Sequence, residues 1–96
     1  DFRNELTTGI TFELLQNEPN PFKASTTISY VLPQAGDVKV TILDVTGKVL
    51  MTRNAEGTVG MNTMTISDTD VKVSGVLYYQ VESGDDTATK KMISIK

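Results

Sequence analysis

The sequence predicts an all-β protein, an antiparallel β-sandwich of about seven short strands. Val, Ile and Thr supply 30 of the 96 residues, and β-branched side chains favour extended strands. Apolar and polar residues alternate with a period of two in several short segments, as they do in strands with one buried face. Turn-forming residues separate these segments at short intervals, which is typical of a sandwich.

Four candidate strands lie in the first half of the chain. In residues 10–14, 27–32 and 38–43, apolar side chains recur at even-numbered positions, which predicts a buried face for each strand. Residues 49–52 form a short apolar run, which we interpret as a fourth strand.

Three further candidate strands follow in the second half. Met64 and Ile66 alternate with threonines in residues 63–66, and the odd-numbered positions of residues 76–82 are apolar. Residues 89–95 alternate again and close the chain. This pattern predicts half-buried strands throughout.

The segments between these strands are rich in turn-forming residues. Residues 33–37, 44–48, 56–60 and 83–86 contain Gly, with Asp, Pro or Ser in most of them, and the second resembles a type I turn followed by a left-handed glycine. Residues 68–73 are compatible with a single helical turn. We therefore predict one immunoglobulin-like antiparallel β-sandwich at residues 10–96, with a small barrel as the alternative. Residues 1–9 are expected to be a linker tail or a short first strand.

Composition excludes several function classes. The chain has no His and no Cys, which removes Ser-His-Asp and Cys-His catalysis and the usual zinc sites. The net charge of −3 argues against nucleic-acid binding. We predict no catalytic residues, no cofactor and no metal site, and therefore no enzyme.

Two carboxylate pairs are the remaining candidates for chemistry. Asp68 with Asp70, and Asp85 with Asp86, supply oxygen atoms of the kind that bind Ca²⁺ or act in glycoside hydrolysis. Both pairs lie in predicted turns, where Asp bonds nearby backbone N–H groups, and we favour that role. The alternatives are a calcium site and a carboxylate-pair hydrolase.

Two short segments stand out. The prolines of Pro19-Asn20-Pro21-Phe22 fix the backbone before a large apolar residue, which predicts a structural anchor. Three of the nine basic residues, Lys90, Lys91 and Lys96, lie in the last seven positions. Lysines on an edge strand discourage edge-to-edge pairing, and they also suit recognition by strand addition.

Five segments, in this order and at this spacing, resemble the C-terminal sorting domains of the type IX (Por) secretion system. They are LQNEPNPF at 15–22, TTISYVLP at 26–33, GDVKVTILDVTGKV at 36–49, SGVLYY at 74–79 and TKKMISIK at 89–96. The resemblance spans about residues 12–96. One departure is Leu77, where the family often has Tyr.

The resemblance implies that the domain is a sorting signal and not a catalyst. Such domains direct an upstream passenger from the periplasm through an outer-membrane translocon in Bacteroidetes. A sortase-type cysteine protease then often removes the domain, and the passenger is anchored to lipopolysaccharide at the cell surface. Residues 1–9 would then follow the passenger. By resemblance, recognition is expected at Gly75, Lys90, Lys91, Met92, Ile93, Ile95 and Lys96, and the motif Pro19, Asn20, Pro21 and Phe22 is expected to be structural.

Two other possibilities stay open at this point. One is an immunoglobulin-like binding module for carbohydrate or adhesion, in which an exposed Tyr78 or Tyr79 stacks on a sugar. The other concerns assembly, because an exposed edge strand permits a homodimer by strand pairing.

Overall fold

Two antiparallel β-sheets pack face to face in the computed structural model, which describes residues 9–95. The strands are β1 (Glu13–Leu14), β2 (Ser25–Leu32), β3 (Gly36–Leu43), β4 (Val49–Gly57), β5 (Gly60–Ser67), β6 (Gly75–Ser83) and β7 (Asp86–Ser94), and one helical turn, α1, spans Asp68–Val71. The strand order is β1-β2-β5 in one sheet and β4-β3-β6-β7 in the other. The predicted sandwich of seven strands is confirmed, whereas the prediction for residues 1–9 falls almost wholly outside the described residues.

The alternating apolar positions form the core between the sheets. The even-numbered apolar residues of β2 and β3 and the odd-numbered ones of β6 are each at most 2% exposed. Together with Phe22, Ile66 and Met92 they form one contiguous cluster. Period-two patterning therefore gave the buried face of the three strands at the centre of the fold correctly.

The edge strands differ from their predicted lengths. The first predicted strand, residues 10–14, shortens to the two residues of β1, which pair only with β2. β4 instead continues to Gly57, five residues beyond the apolar run 49–52. It is an edge strand with an exposed outer face at Thr52, Asn54 and Glu56, so an apolar run does not mark its end.

Gly57 lies where the two sheets approach each other. It pairs with Gly36 across β3 and β4 and is buried. A β-carbon at position 57 would collide with Leu32 Cδ1 and would lie 2.9 Å from Val38 Cγ2, whereas one at position 36 would have no neighbour within 4 Å. The chain therefore needs glycine at position 57 for packing.

The Asp44 side chain forms hydrogen bonds within the turn between β3 and β4. Asp44 Oδ1 accepts from the Thr46 hydroxyl at 2.6 Å and from the backbone N–H of Lys48 at 3.0 Å, and the hydroxyl bond is the main reason that the pKa of Asp44 is lowered. Gly47 follows with φ +90°, in agreement with the predicted turn.

Helix α1 confirms the predicted helical turn after β5. The backbone N–H of Ser67 donates to Asp70 Oδ2 at 2.9 Å, and Arg53 lies 3.2 Å from the same oxygen. The hydrogen bond from Ser67 is the first cause of the lowered pKa of Asp70. Among residues 9–95, no group of three or more His, Cys, Asp or Glu side chains is placed to hold a metal ion.

Candidate recognition surface

The closing strand β7 is an edge strand of the four-stranded sheet. It pairs with β6 along its whole length, from Gly75 opposite Ser94 to Ser83 opposite Asp86. Gly75 has φ +108°, a backbone conformation that favours glycine, so it determines how the chain enters β6. Most of the residues expected to act in recognition are therefore brought together at one end of the β6–β7 hairpin.

The two faces of β7 differ in accessibility. Met92 has 0% exposure and Ser94 has 3%, and Lys90, on the same face, is half-buried. Lys91 and Ile95 are exposed on the opposite face and Ile93 is half-buried there. Met92 therefore supports the strand from inside, whereas Lys91, Ile93 and Ile95 are accessible to a partner. Lys96 lies outside the described residues.

An N-terminal strap, residues 15–22, covers the outer edge of β7. The backbone N–H of Phe22 donates to Ile93 O at 2.9 Å, and that of Ile95 donates to Phe22 O at 2.8 Å. Asn20 Oδ1 accepts from the N–H of Ile93 at 3.0 Å, and Gln16 Nε2 donates to Lys91 O at 2.8 Å. The edge between Lys91 and Ile95 is therefore already paired, and a partner strand cannot add there while the strap is in place.

Buried hydrogen bonds hold the strap against the core. The hydroxyl of Tyr79, a residue with 0% exposure, donates to Leu15 O at 2.7 Å and accepts from the N–H of Asn17 at 2.9 Å. Asn17 Nδ2 in turn donates to Thr26 Oγ1 at 2.9 Å and to Pro19 O at 3.2 Å. Burial raises the pKa of the Tyr79 hydroxyl. Tyr79 is therefore a structural residue and is unavailable for stacking on a sugar.

The motif at residues 19–22 is the C-terminal part of the strap, and it contacts the closing strand. Phe22 is 1% exposed and forms a parallel bridge with Ser94. The peptide bonds that precede Pro19 and Pro21 are both cis. The side chain of Asn20 and the backbone of Phe22 thus contact the strand on which recognition is expected.

An outer apolar surface covers the solvent-facing side of the four-stranded sheet at this end. Its members are Leu43, Val45, Val49, Val76, Tyr78, Ile93 and Ile95. Exposure reaches 66% at Val45, 51% at Val49 and 47% at Ile95. Cross-strand pairs connect Leu43 to Tyr78, Tyr78 to Lys91 and Val76 to Ile93, so these side chains are neighbours.

The other end of the same outer face is polar. Lys39 lies opposite Glu82, and Thr41 lies opposite Gln80. Within residues 9–95 the single ion pair joins Arg53 to Asp70, so Lys91 borders the outer apolar surface without an acidic partner. Contiguous exposed apolar surface of this kind marks interaction sites, and here it has a basic border.

Sequence reasoning missed four members of this surface, namely Leu43, Val45, Val49 and Val76, and considered Tyr78 only as a residue that could stack on a sugar. The available signal was the parity of each strand. Leu43, Val76 and Tyr78 have the opposite parity to the core residues of their own strands, which places them outside. Their grouping depends on the register between β3, β6 and β7, which the sequence pattern does not show.

Comparison with known proteins gives one family. The family model described as a secretion system C-terminal sorting domain matches residues 19–96. No curated protein matches the chain. Residues 9–95 contain no helix that is long and apolar enough to cross a membrane.

Solved structures match only at low similarity. A β-glucosidase from Erythrobacter marinus has 12% identity and a TM-score of 0.49, and one from Listeria innocua has 18% identity and a TM-score of 0.42. The matches cover 90% and 88% of this chain but 16% of each of those chains.

Proposed function

Because this chain belongs to the family of secretion system C-terminal sorting domains, we propose that it directs an attached passenger through the type IX outer-membrane translocon. Membership supports a C-terminal sorting signal for type IX secretion, with a passenger upstream and a secreted or cell-surface destination. The family is not an enzyme family. The domain is therefore a substrate of the secretion machinery.

The observation that carries the proposal is the accessible end of the β6–β7 hairpin. Lys91, Ile93 and Ile95 share one face there with Val76 and Tyr78. An exposed apolar surface with a basic border offers both buried area and charge for recognition. The strap supports this surface from the edge and does not cover Lys91 or Ile95, which both remain exposed.

The buried members of the predicted set then have a supporting role. Met92 and Gly75 hold the hairpin in shape, and Lys90 lies half-buried beside the core. Direct contact with the machinery is assigned to Lys91, Ile93 and Ile95, whereas Lys96 lies outside the described residues.

A point variant tests this assignment without removing a strand. A passenger fused to residues 10–96 is expressed in a bacterium with a type IX system, carrying either Ile95→Asp or the control Thr52→Asp. Both positions are exposed on the outside of the four-stranded sheet, so both variants are expected to fold. We expect Ile95→Asp to leave most of the passenger in the periplasm and Thr52→Asp to reach the surface normally.

Equal export of both variants would show that the outer apolar surface is not part of the recognition site. Deletion of residues 89–96 is the coarser test of the sorting signal, and export of that truncated fusion would contradict the proposal as a whole. A urea unfolding curve for each point variant separates lost recognition from lost folding.

We further propose that a sortase-type cysteine protease removes the domain and that the passenger is then anchored to lipopolysaccharide. This step follows from what the family resemblance implies. Mass spectrometry of the exported passenger tests it, because removal shortens the chain by the whole domain. An exported passenger that retains residues 10–96 would contradict cleavage while leaving the sorting function intact.

A further inference from the structure

Part of the β7 edge is left open by the strap. Lys91 O, Ile93 and Ile95 bond to the strap, so the backbone groups of odd-numbered residues point away from β6. Backbone hydrogen bonding alternates along an antiparallel pair, and the N–H and C=O groups of Thr87 and Thr89 therefore point outward too. Among residues 9–95, no hydrogen bond covers them.

We propose that two copies of this domain pair antiparallel through this open edge, with Thr87 of one copy opposite Thr89 of the second copy. Residues 87 and 89 then exchange backbone hydrogen bonds in both directions. The pairing makes about four hydrogen bonds and joins two four-stranded sheets into one of eight strands.

The charges of β7 favour this register. It places Asp86 opposite Lys90 of the second copy, and the two-fold axis repeats the pair. Asp86 and Lys90 both lie on the inner face, where both are half-buried, and opposite charges directly across an antiparallel pair are stabilising. Neither side chain has an ion-pair partner within the described chain.

The open segment of β7 is limited at one end by the hairpin tip and at the other end by the strap. The second copy turns away at Gly84, where the β6–β7 hairpin reverses with φ +60°. That reversal lies opposite the point where Gln16 of the strap begins to cover β7. The pairing is therefore confined to residues 87–89, between the hairpin tip and the strap.

The charges of Asp86 and Lys90 also disfavour pairing with strands of other proteins. A charged residue pointing inward on an edge strand discourages pairing with an ordinary strand, because Lys90 would be left there without an opposite charge. A second copy supplies Asp86 at this position. The pairing is independent of the sorting function, because the outer apolar surface stays accessible in the dimer.

Sedimentation velocity on the 96-residue chain tests the proposal over concentrations from about 10 μM to about 1 mM, the range in which a small interface associates. We expect reversible dimers that increase with concentration. Thr89→Pro removes an outward N–H that β6 does not use, and proline is tolerated at such edge positions. It should leave the chain monomeric throughout, whereas Thr89→Ala should dimerise as the unchanged protein does.

A charge-reversal series tests the register. Asp86→Lys and Lys90→Asp each replace two attractive pairs by two repulsive ones and should each weaken dimerisation on the order of tenfold. The double variant restores both pairs with the charges exchanged and should recover most of the affinity. Neither substitution removes a core side chain, so both charge variants are expected to fold. They therefore test the pairing even if Thr89→Pro does not fold.

Three results would overturn the proposal. They are a monomer at the highest concentration, a dimer that Thr89→Pro leaves intact, and a double variant that is no better than the single ones. A dimer that persists on dilution points instead to exchange of a whole strand and also overturns the open-edge pairing.

Discussion

Replacing Tyr79 by Phe tests whether the strap is held to the core by one hydroxyl. The substitution keeps the ring, which is 0% exposed, and removes the oxygen that bonds Leu15 O at 2.7 Å and Asn17 N at 2.9 Å. Both backbone groups then lose their partner, and Asn17 is itself 1% exposed. We expect the free energy of unfolding to fall.

The magnitude follows from the two hydrogen bonds. Each contributes about 1 kcal/mol net, and an unsatisfied buried group costs about 1–3 kcal/mol. Leu15 is only half-buried, so water compensates part of its loss, and we expect a total of about 2–3 kcal/mol. A domain of this size has roughly 5–14 kcal/mol of stability, so the loss is a large fraction of the whole.

Urea unfolding followed by far-ultraviolet circular dichroism measures the change. With a slope of about 1 kcal/mol per molar urea, the midpoint should fall by about 2–3 M. Tyr30→Phe is the matched control, because Tyr30 is 2% exposed in the same core and its hydroxyl has no hydrogen-bond partner among the described residues. The reasoning is refuted if the two variants lose equal stability, or if Tyr79→Phe loses less than about 0.5 kcal/mol.

Three further variants test other contacts. Gly57→Ala should destabilise the chain by about 1–3 kcal/mol through overpacking, while Gly36→Ala, which meets open space, should change stability by under about 0.5 kcal/mol in urea unfolding. The pKa of Asp70 is lowered in the fold, so its stabilisation is present above its unfolded pKa and is lost as pH falls through the folded one; the stability advantage over Asp70→Asn should therefore shrink below about pH 4. Asn20→Ala should speed amide hydrogen exchange at Ile93, whose N–H loses its acceptor, and an unchanged exchange rate would contradict the role of the strap.

The sequence predicted the centre of the fold better than its edges, and the reason is physical. β2, β3 and β6 each lie between two other strands and have one face in the core. The alternation of apolar and polar residues therefore identifies them clearly. β1 and β4 lie at sheet edges, where pairing continues through polar residues such as Asn54 and ends without a change in hydropathy. Their lengths are set by the partner strand.

The candidate site was predicted in part. The concentration of lysines and alternating residues pointed to β7, and the structure places Lys91, Ile93 and Ile95 on its accessible face. The strap was not predicted, because Gln16 and Lys91 are 75 residues apart and no local pattern encodes such a contact. The same holds for Tyr78 beside Leu43, which only the register of β3 and β6 brings together.

The strap and the closing strand stabilise each other across almost the whole length of the chain. Asn20 and Ile93 are 73 residues apart, and contacts of such separation form late because a long loop must close first. A chain that lacks its last strand leaves Phe22 and the strap without their partners. The surface that we assign to recognition is therefore complete only when β7 is present and the strap has paired with it.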